Sequence, residues 1–458
     1  MSRVVRPSER TFLLGLTDVL TASAAVVLSL WTWSFTAGMP FSSAFVIGHA
    51  WWFLSVPVWV VALAPTRRAA VSLDVANVMR GIGRAGAVLF TVYLFVFFYA
   101  GRDSLPRLMA LYVFWNSVWF GVAGRLILLW AFTREQFARR LIVVGDAGAI
   151  GIALSLFDKP ALRDAQLIGV VTADSMSSSD TIALLGQPVD IERIALEHGA
   201  TEVVAAFDHD ADAGILDRLL RCQESGIDVI GLEQLYEQVL RRVPVRLVSP
   251  VWLLTHLFSA SGPREASPLA KRLVDLAVAV PLAIAGLVVG AMIAVAIVLD
   301  SRGPVFYRQI RLGRGGRRFR IVKFRTMRVD AEVGGPQWST EGDPRITRVG
   351  RILRRSHLDE LPQVLSVIRG EMSMVGPRPE RPEFVEMLER EVPLYRARLI
   401  AAPGVTGWAQ VNHEYGDSVD DAAGKLEYDL YYLRHRSLSF DLEILVSTVG
   451  RMLGWRGR

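Results

Sequence analysis

The chain has 458 residues, of which 52% are hydrophobic and 21% are charged. This composition is too apolar for an ordinary soluble protein of this length, so membrane segments are expected. The net charge of +6 favours phospholipid headgroups or phosphorylated substrates as partners. Nucleic acid is not expected as a partner, because no recognised binding motif accompanies the charge. The single cysteine, Cys222, excludes an intrachain disulfide.

Four apolar segments in the first third of the chain predict four transmembrane helices in a domain spanning residues 1–138. Each is close to the roughly 20 residues that a spanning helix needs. The segments cover residues 11–37, 41–64, 85–101 and 108–132. Arginines cluster before the first segment, between the second and third, and after the fourth. The positive-inside rule therefore predicts a cytoplasmic N-terminus and a cytoplasmic location for the chain after the fourth helix. Arg125, inside the fourth segment, is interpreted as a packing or topology residue.

Residues 139–262 predict a Rossmann-like α/β domain, because short apolar runs alternate with helical stretches as in a parallel sheet. The runs are Leu141 to Val144, Leu167 to Val171, Glu202 to Phe207 and Asp228 to Ile230. The first run leads into three glycines, Gly145, Gly148 and Gly151, with the spacing of one nucleotide-binding turn. The same glycines would also serve tight strand-to-helix packing. The role of this domain stays open among nucleotide binding, regulation and homodimer formation.

A Rossmann domain after four spanning helices raises an alternative function, a membrane-anchored nucleotide-sugar dehydratase or epimerase. Short-chain enzymes of that type use a Tyr-x-x-x-Lys pair, in which the lysine lowers the pKa of the tyrosine. No tyrosine of this sequence has a lysine four residues later. The alternative therefore lacks its expected catalytic base.

A third domain is predicted over residues 263–458, and it begins with a long apolar stretch. Between Leu273 and Leu299 the only charged residue is Asp275. These residues would form a helix of roughly 40 Å, which is long enough to cross a bilayer.

The charges on both flanks of this stretch disagree with a simple crossing. Lys271 and Arg272 precede it, and residues 302–329 contain ten Lys or Arg and no acidic residue. Both flanks therefore carry the cytoplasmic signature. A re-entrant helix over about residues 271–299 satisfies length and charge together, with Pro281 as the residue that would bend it.

The basic region that follows predicts a hairpin and then an amphipathic helix. Apolar residues alternate from Phe319 to Phe324 after a glycine-rich turn, and the alternation places Lys323 and Arg325 on one face. Apolar residues at helical spacing over 346–353, with arginines between them, predict a basic helix on the membrane surface.

Two adjacent carboxylates, Asp359 and Glu360, stand just before Pro362, a residue suited to the first turn of a helix. Taken alone, such carboxylates are usually interpreted as helix caps.

These residues belong to a series of short motifs that follow one another between about 270 and 458. In chain order they are Lys271-Arg272 with Asp275, Gly303-Pro304 with Gln309, Lys323-Phe324-Arg325-Thr326-Met327, Leu358-Asp359-Glu360-Leu361-Pro362-Gln363, Gly376-Pro377-Arg378-Pro379, Pro403-Gly404-Val405-Thr406-Gly407-Trp408-Ala409-Gln410-Val411-Asn412 and Glu427-Tyr428-Asp429. The series resembles the bacterial sugar transferases, the polyprenyl-phosphate hexose-1-phosphate transferases that begin polysaccharide and glycoconjugate synthesis. The first 260 residues are similar to the N-terminal extension of the large members of that family.

The resemblance implies a mostly helical, monotopic catalytic domain with a re-entrant helix on the cytoplasmic face of the bacterial inner membrane. It implies transfer of hexose-1-phosphate from a UDP-sugar to undecaprenyl phosphate, with release of UMP and with Mg²⁺ as cofactor. Asp359 would be the nucleophile that forms a phospho-aspartyl intermediate, and Glu360, with Asp359, would hold the metal. The residues expected to bind substrate or phosphate are Lys323, Arg325, Arg354, Pro377, Arg378, Pro379 and Gln410. Membrane lipids and downstream glycosyltransferases are the further partners implied.

The sequence departs from the family pattern at three positions. Pro281 replaces a helix-breaking proline usually found near Val288, His357 replaces a Ser or Thr before the carboxylates, and Ala402 replaces a basic residue. A catalytically silent scaffolding paralogue is the second alternative, although the intact Asp359 and Glu360 argue against it. No motif indicates which sugar is transferred.

Overall fold

The computed structural model describes most of the chain, and the described residues fall into two compact units, Met1–Val239 and Leu240–Arg458. The described residues are 7–63, 78–79, 81–83, 85–86, 90, 93, 107–132, 138–162, 165–174, 183–207, 213–245, 247–248, 267–329, 331, 343–413 and 418–452. The domain limits inferred from the sequence at 138/139 and 262/263 stay predictions.

The first unit begins with apolar helices. They are α1 (Pro7–Thr36), α2 (Ser43–Gly48), α3 (Ser55–Leu63) and α4 (Arg107–Phe132), with a short 3-10 helix over Ala50–Leu54. Within α1 and α4, the stretches Phe12–Thr36 and Met109–Ala131 are long and apolar enough to cross a membrane. The second predicted segment, 41–64, is divided among three shorter helices, and most of the third, 85–101, lies outside the described residues.

A buried ion pair joins α1 to α4. Arg125 Nη2 donates a hydrogen bond of 2.9 Å to Asp18 Oδ2, and both side chains are almost fully buried. The helices approach closely at the neighbouring position, since a Cβ on Gly124 would come within 2.8 Å of the Thr21 methyl group. Asp18 is thus the counter-charge of Arg125, which a charged side chain inside an apolar helix bundle needs.

The rest of the first unit is an α/β fold around a five-stranded parallel sheet in the order β3-β2-β1-β4-β5. The strands are β1 (Arg139–Gly145), β2 (Ala165–Val171), β3 (Leu184–Gly186), β4 (Glu202–Ala206) and β5 (Asp228–Gly231). The helices are α5 (Ala147–Phe157), α6 (Ile191–Glu197), α7 (Ala213–Glu224) and α8 (Leu232–Leu240). The predicted parallel sheet is confirmed, and its four predicted strands correspond to β1, β2, β4 and β5. The short strand β3 was not anticipated.

The glycine-containing turn after β1 has a clear packing function. A Cβ at Gly145 would lie 1.5 Å from the carbonyl oxygen of Ala206, so only glycine lets β1 and β4 approach this closely. At the start of α5, the amide of Ala147 donates a hydrogen bond of 2.8 Å to the carboxylate of Asp174. A carboxylate of the chain itself therefore lies where a nucleotide phosphate would meet this helix N-terminus.

The second unit consists of helices with two small sheets. Its helices are α9 (Pro268–Asp300), α10 (Arg348–Ser356), α11 (Val364–Arg369), α12 (Pro382–Glu391), α13 (Trp408–Asn412), α14 (Val419–His435) and α15 (Leu438–Met452). Its strands are β6 (Phe306–Leu312), β7 (Arg318–Phe324), β8 (Ser373–Val375) and β9 (Gly404–Thr406), and 3-10 helices cover Leu358–Gln363 and Tyr395–Ile400. β6 and β7 pair antiparallel, as predicted for the hairpin, and β8 pairs parallel with β9.

The long apolar helix α9 is continuous over 33 residues and runs through Pro281 without ending there. The Ser267 hydroxyl caps its N-terminus by accepting a hydrogen bond from the Ala270 amide, and Pro268 occupies the first turn. By length and composition α9 could cross a membrane. The helix therefore does not end at Pro281, and the bend predicted at that residue stays a prediction.

Contacts with the rest of the second unit extend along the whole of α9. Near its start, Lys271 Nζ lies 2.8 Å from Asp441 Oδ2, and at its end the Asp300 carboxylate accepts a hydrogen bond from the Val349 amide. In the middle, a Cβ on Gly286 would come within 3.2 Å of the Leu361 side chain. The opposite face of α9 exposes large apolar side chains, among them Leu273, Ile284, Leu287, Val288, Met292 and Val295.

Val243, Val245 and Val248 belong to the core of the second unit. Arg241, in the left-handed region with φ of 54°, stacks its guanidinium 4.4 Å from the ring centroid of Trp408. It donates two hydrogen bonds, of 2.8 and 3.2 Å, to the Glu443 carboxylate. Val243 is fully buried in the same core. The segment is thus fixed by packing and by an ion pair.

Candidate active site

The adjacent carboxylates lie in the 3-10 helix Leu358–Gln363, and the α-helix begins only afterwards, at Val364. The sequence had predicted that Pro362 would open that α-helix. His357 precedes the 3-10 helix in the left-handed region, with φ of 55°. A non-glycine residue in this region costs roughly 1–3 kcal/mol, and such strain is common where a chain presents functional groups. The reversal at His357 separates α10 from the turn that carries Asp359 and Glu360.

Glu360 is held by two cations rather than acting as a helix cap. Its Oε1 accepts hydrogen bonds from Lys323 Nζ at 2.7 Å and from Arg378 Nη2 at 2.6 Å. Burial by itself would raise the pKa of Glu360, but the charges of Arg378 and Lys323 outweigh burial and lower that pKa well below its usual range. Glu360 is therefore ionised at neutral pH.

Asp359 has a different environment although it is the next residue. It is 8% exposed, and burial, followed by the negative charge of Glu360, raises its pKa above the usual value. Lys323, Arg378 and Arg354 act in the opposite direction on the same pKa. Among the residues that the structure describes, none donates a hydrogen bond to the Asp359 carboxylate. Its oxygens are therefore not engaged by the protein, as an attacking group requires.

The hairpin brings Lys323 to the carboxylates. Lys323 lies one residue before the end of β7 and pairs across the hairpin with Tyr307. Burial lowers the pKa of its ammonium group, and the charge of Glu360 partly restores it. Lys323 is thus a cation with little solvent around it, directed at Glu360.

The turn 377–379 carries the second cation, and its backbone is fixed at both ends. The Pro377 carbonyl accepts a hydrogen bond of 2.9 Å from the Gly404 amide of β9. The Glu380 carbonyl accepts one of 2.9 Å from the Leu312 amide at the end of β6. The two prolines fix φ on either side of the arginine. The turn is therefore preorganised by both small sheets.

Two further arginines bind the remaining carbonyls of this turn. Arg398 Nη2 donates a hydrogen bond of 3.1 Å to the carbonyl of Arg378. Arg311 Nη1 donates one of 3.2 Å to the carbonyl of Pro379. No sequence motif predicted a role for Arg311 or Arg398, because both contacts join residues that are distant in sequence.

The other residues predicted to bind substrate have partners away from the carboxylates or at the edge of the site. Arg354 Nε donates to the Thr326 hydroxyl at 3.0 Å, and its charge reaches Asp359. Arg325 is buried and donates to the backbone carbonyls of Ser301 and Arg302, just after α9.

Gln410 makes its side-chain contact at the small parallel sheet. Its side-chain amide donates a hydrogen bond of 3.1 Å to the carbonyl of Val405, the middle residue of β9. The phosphate-binding role assigned to it stays a prediction.

The polar residues at the start of α9 fasten the helix to the second unit. Asp275 Oδ1 accepts hydrogen bonds from the Ser373 hydroxyl at 3.1 Å and from the Met374 amide at 3.0 Å. Arg272 donates to the carbonyls of Val367 and Ile368 at the end of α11, at 2.6 and 2.7 Å. Arg272 and Asp275 therefore have a structural role, which is to attach the start of α9 to the second unit.

The donor set is compatible with Mg²⁺ held jointly by protein and substrate. In the part of the chain that the structure describes, no group of three or more His, Cys, Asp or Glu side chains forms a metal cage. Mg²⁺ commonly binds through one or two carboxylates together with substrate phosphates and water. Asp359 and Glu360 supply that number of carboxylates in adjacent positions.

Comparison with known proteins gives a consistent family assignment. Residues 266–454 match the family described as bacterial sugar transferase. A UDP-glucose:undecaprenyl-phosphate glucose-1-phosphate transferase of Caulobacter vibrioides is 40% identical over 212 residues, which are 46% of this chain and 79% of that protein.

Two longer relatives extend the similarity. A UDP-N-acetylgalactosamine-undecaprenyl-phosphate N-acetylgalactosaminephosphotransferase of Aeromonas hydrophila is 40% identical over 55% of this chain and 58% of its own length. An undecaprenyl-phosphate glucose phosphotransferase of Komagataeibacter xylinus is 31% identical over 72% of this chain and 62% of its own length. The chain thus spans less than two thirds of these two relatives.

Proposed function

Because the chain belongs to the bacterial sugar transferase family, we propose that it transfers a hexose-1-phosphate from a UDP-sugar to undecaprenyl phosphate and releases UMP. This reaction would be the first membrane step of exopolysaccharide, capsule or O-antigen synthesis. The observation that carries the proposal is the pair of adjacent carboxylates with opposite pKa shifts, one buried and unengaged and the other bound by two cations.

In the proposed first step, an oxygen of the Asp359 carboxylate attacks the β-phosphorus of the UDP-sugar. The bond between that phosphorus and the bridging oxygen breaks, and UMP leaves with the bridging oxygen. A sugar-phosphoryl group then remains on Asp359. In the second step, an oxygen of undecaprenyl phosphate attacks the same phosphorus, which releases the carboxylate and forms the lipid diphosphate-linked sugar.

The cations around Glu360 serve this chemistry electrostatically. A carboxylate that approaches a diphosphate meets strong repulsion, so fixed positive groups are needed where negative charge accumulates. Lys323 and Arg378 are already oriented by Glu360 before substrate binds, which avoids reorganisation at the moment of reaction. Arg354 adds a third positive charge that acts on Asp359.

We propose that Asp359 and Glu360 hold Mg²⁺ together with the diphosphate. The metal would neutralise phosphate charge and polarise the phosphoryl oxygens. Glu360, ionised at neutral pH, is suited to ligate a hard cation.

We further propose that α9 is the re-entrant membrane helix and that the second unit lies on the cytoplasmic face of the inner membrane. Support comes from its two ends and its middle, all of which contact the same unit, while the opposite face exposes apolar side chains. A helix that crossed the bilayer would carry one end away from that unit. A multi-pass anchor of four helices in residues 1–138 is proposed from the charge pattern, with α1 and α4 as two of its members.

The topology is checked with a tag placed after Arg458. The tag is expected to be protected from protease added to intact cells whose outer membrane has been permeabilised, and to be cleaved after lysis. A tag accessible only from the periplasm would contradict the re-entrant arrangement.

The reaction is checked by measuring UMP release from a panel of UDP-sugars with the full chain, undecaprenyl phosphate and Mg²⁺. At least one UDP-sugar is expected to give UMP in a lipid-dependent reaction, and the sugar that does so defines the specificity. Absence of release across glucose, galactose and N-acetylated or deoxy sugars would favour the scaffolding alternative.

A further inference from the structure

A second group of buried charges contacts the turn 377–379 through the carbonyl of Arg378. Its central residue is Arg398, which is 5% exposed, and its carboxylate partner is Asp429, which is 1% exposed. Arg398 Nη2 lies 2.9 Å from Asp429 Oδ2. The group also includes Tyr395, whose hydroxyl accepts a hydrogen bond of 2.5 Å from Arg398 Nη1.

A buried ion pair of this kind is costly unless the geometry satisfies most of its hydrogen-bonding groups. The guanidinium of Arg398 donates hydrogen bonds to the Tyr395 hydroxyl and to the carbonyl of Arg378, and it lies at ion-pair distance from Asp429 and, at 4.0 Å, from Glu380. The hydrogen bond to the carbonyl of Arg378 reaches the candidate active site directly. Arg398 therefore links α14, which carries Asp429, to the backbone of Arg378.

The position of the Arg378 backbone matters because its side chain binds Glu360. Its guanidinium meets Glu360 Oε1 at 2.6 Å, so a shift of its backbone moves a cation that orients the carboxylate. Since proline flanks Arg378 on both sides, the turn can adjust φ at few positions. Holding the carbonyl of Arg378 thus controls the direction in which its side chain leaves the turn.

We infer that Arg398, held by Asp429, is a positioning residue that aims Arg378 at Glu360 and at the substrate diphosphate. This inference rests on the proposed transferase function, and neither residue touches substrate. Arg398 acts through the carbonyl of Arg378, and Asp429 acts through Arg398.

The test is a double-mutant cycle on the full chain in detergent or lipid. Arg398→Gln is expected to lower the turnover of UMP release by about 100-fold, the scale of misplacing a catalytic group by an ångström. Asp429→Asn, which is a smaller change, is expected to lower it by about 10-fold through weakened anchoring of Arg398. In an Arg378→Ala background, either change should cost less than about threefold more, because the residue through which it acts is gone.

A matched control separates positioning from general stability. Arg241→Gln removes another guanidinium that pairs with a carboxylate in the same unit, and in the described part of the chain its hydrogen bonds and ion pair go to Glu443 and not to the turn 377–379. It is expected to lower the melting temperature while leaving turnover of the folded fraction near that of the unchanged chain. If Arg398→Gln does not fold, the double-mutant cycle is measured with Asp429→Asn and Arg378→Ala.

Amide hydrogen exchange of the peptide that contains residues 376–381 provides a readout that needs no activity. Exchange is expected to be faster in Arg398→Gln and Asp429→Asn than in Arg241→Gln. The positioning role would be overturned if the loss of turnover from either change multiplied with that from Arg378→Ala. It would also be overturned if exchange in that peptide were unchanged. If the unchanged chain releases no UMP, the proposed function fails, and the exchange comparison still decides whether Arg398 holds the turn.

Discussion

Asp359→Asn is expected to abolish transfer, with turnover reduced by at least about 10⁴-fold, the scale seen when a catalytic nucleophile is lost. The amide has the shape of the carboxylate but lacks its negative charge and its nucleophilic oxygen. Because burial and Glu360 both raise the pKa of Asp359, the folded protein does not depend on its charge. The melting temperature of the variant should therefore equal or exceed that of the unchanged chain.

Trapping of the intermediate checks the same assignment directly. With a UDP-sugar but no lipid acceptor, the unchanged chain should release one equivalent of UMP and carry a sugar-phosphate adduct on the peptide with Asp359, as detected by mass spectrometry. Glu371→Gln, which alters an exposed carboxylate of the same unit, should behave like the unchanged chain. Turnover within threefold of the unchanged value in Asp359→Asn would exclude Asp359 as the nucleophile.

Arg378→Ala is expected to lower turnover by about 10² to 10³-fold, as for loss of one preorganised donor in an active site. The change removes the 2.6 Å hydrogen bond to Glu360 and leaves Lys323 as its remaining partner. Arg378→Lys should recover part of the loss, because it restores a positive charge without the planar fork.

The pH dependence of Arg378→Ala provides an independent check. The charge of Arg378 lowers the pKa of both Asp359 and Glu360, so its removal raises both. Since the attack requires ionised Asp359, activity should be lost at a higher pH as the solution is acidified, and the acid limb of the profile should shift upward. An acid limb at the same pH in both proteins would show that Arg378 does not act on the nucleophile.

The sequence predicted the parallel sheet and the hairpin well, because both rest on local patterns. Alternation of apolar residues over β7 indicated a strand, and short apolar runs marked β1 and β4. The helix α9 continues through Pro281, since a proline removes one hydrogen bond while flanking residues continue the helix, and the bend predicted there stays a prediction. The tendency of proline to break a helix is a local preference, and packing along α9 also determines whether the helix continues.

The candidate site was predicted less completely than the fold. The sequence pointed to Glu360, Lys323 and Arg378, which the structure brings together, although the pairings themselves join separate segments. It also grouped Arg325 with Lys323, but β7 ends at Phe324 and the guanidinium of Arg325 turns to the end of α9. Strand alternation predicts the face of a side chain only as far as the last residue of the strand.

The contact between Leu361 and Gly286 has a mechanical consequence. Leu361 directly follows the two carboxylates and rests on the middle of α9, the helix that we place in the bilayer. Leu358 and Leu361 also pack against a cluster that contains Ile293 of that helix. A change in bilayer thickness that tilts α9 would therefore carry the carboxylates with it. The lipid around the protein would then act as a control on reaction rate as well as a solvent for the acceptor.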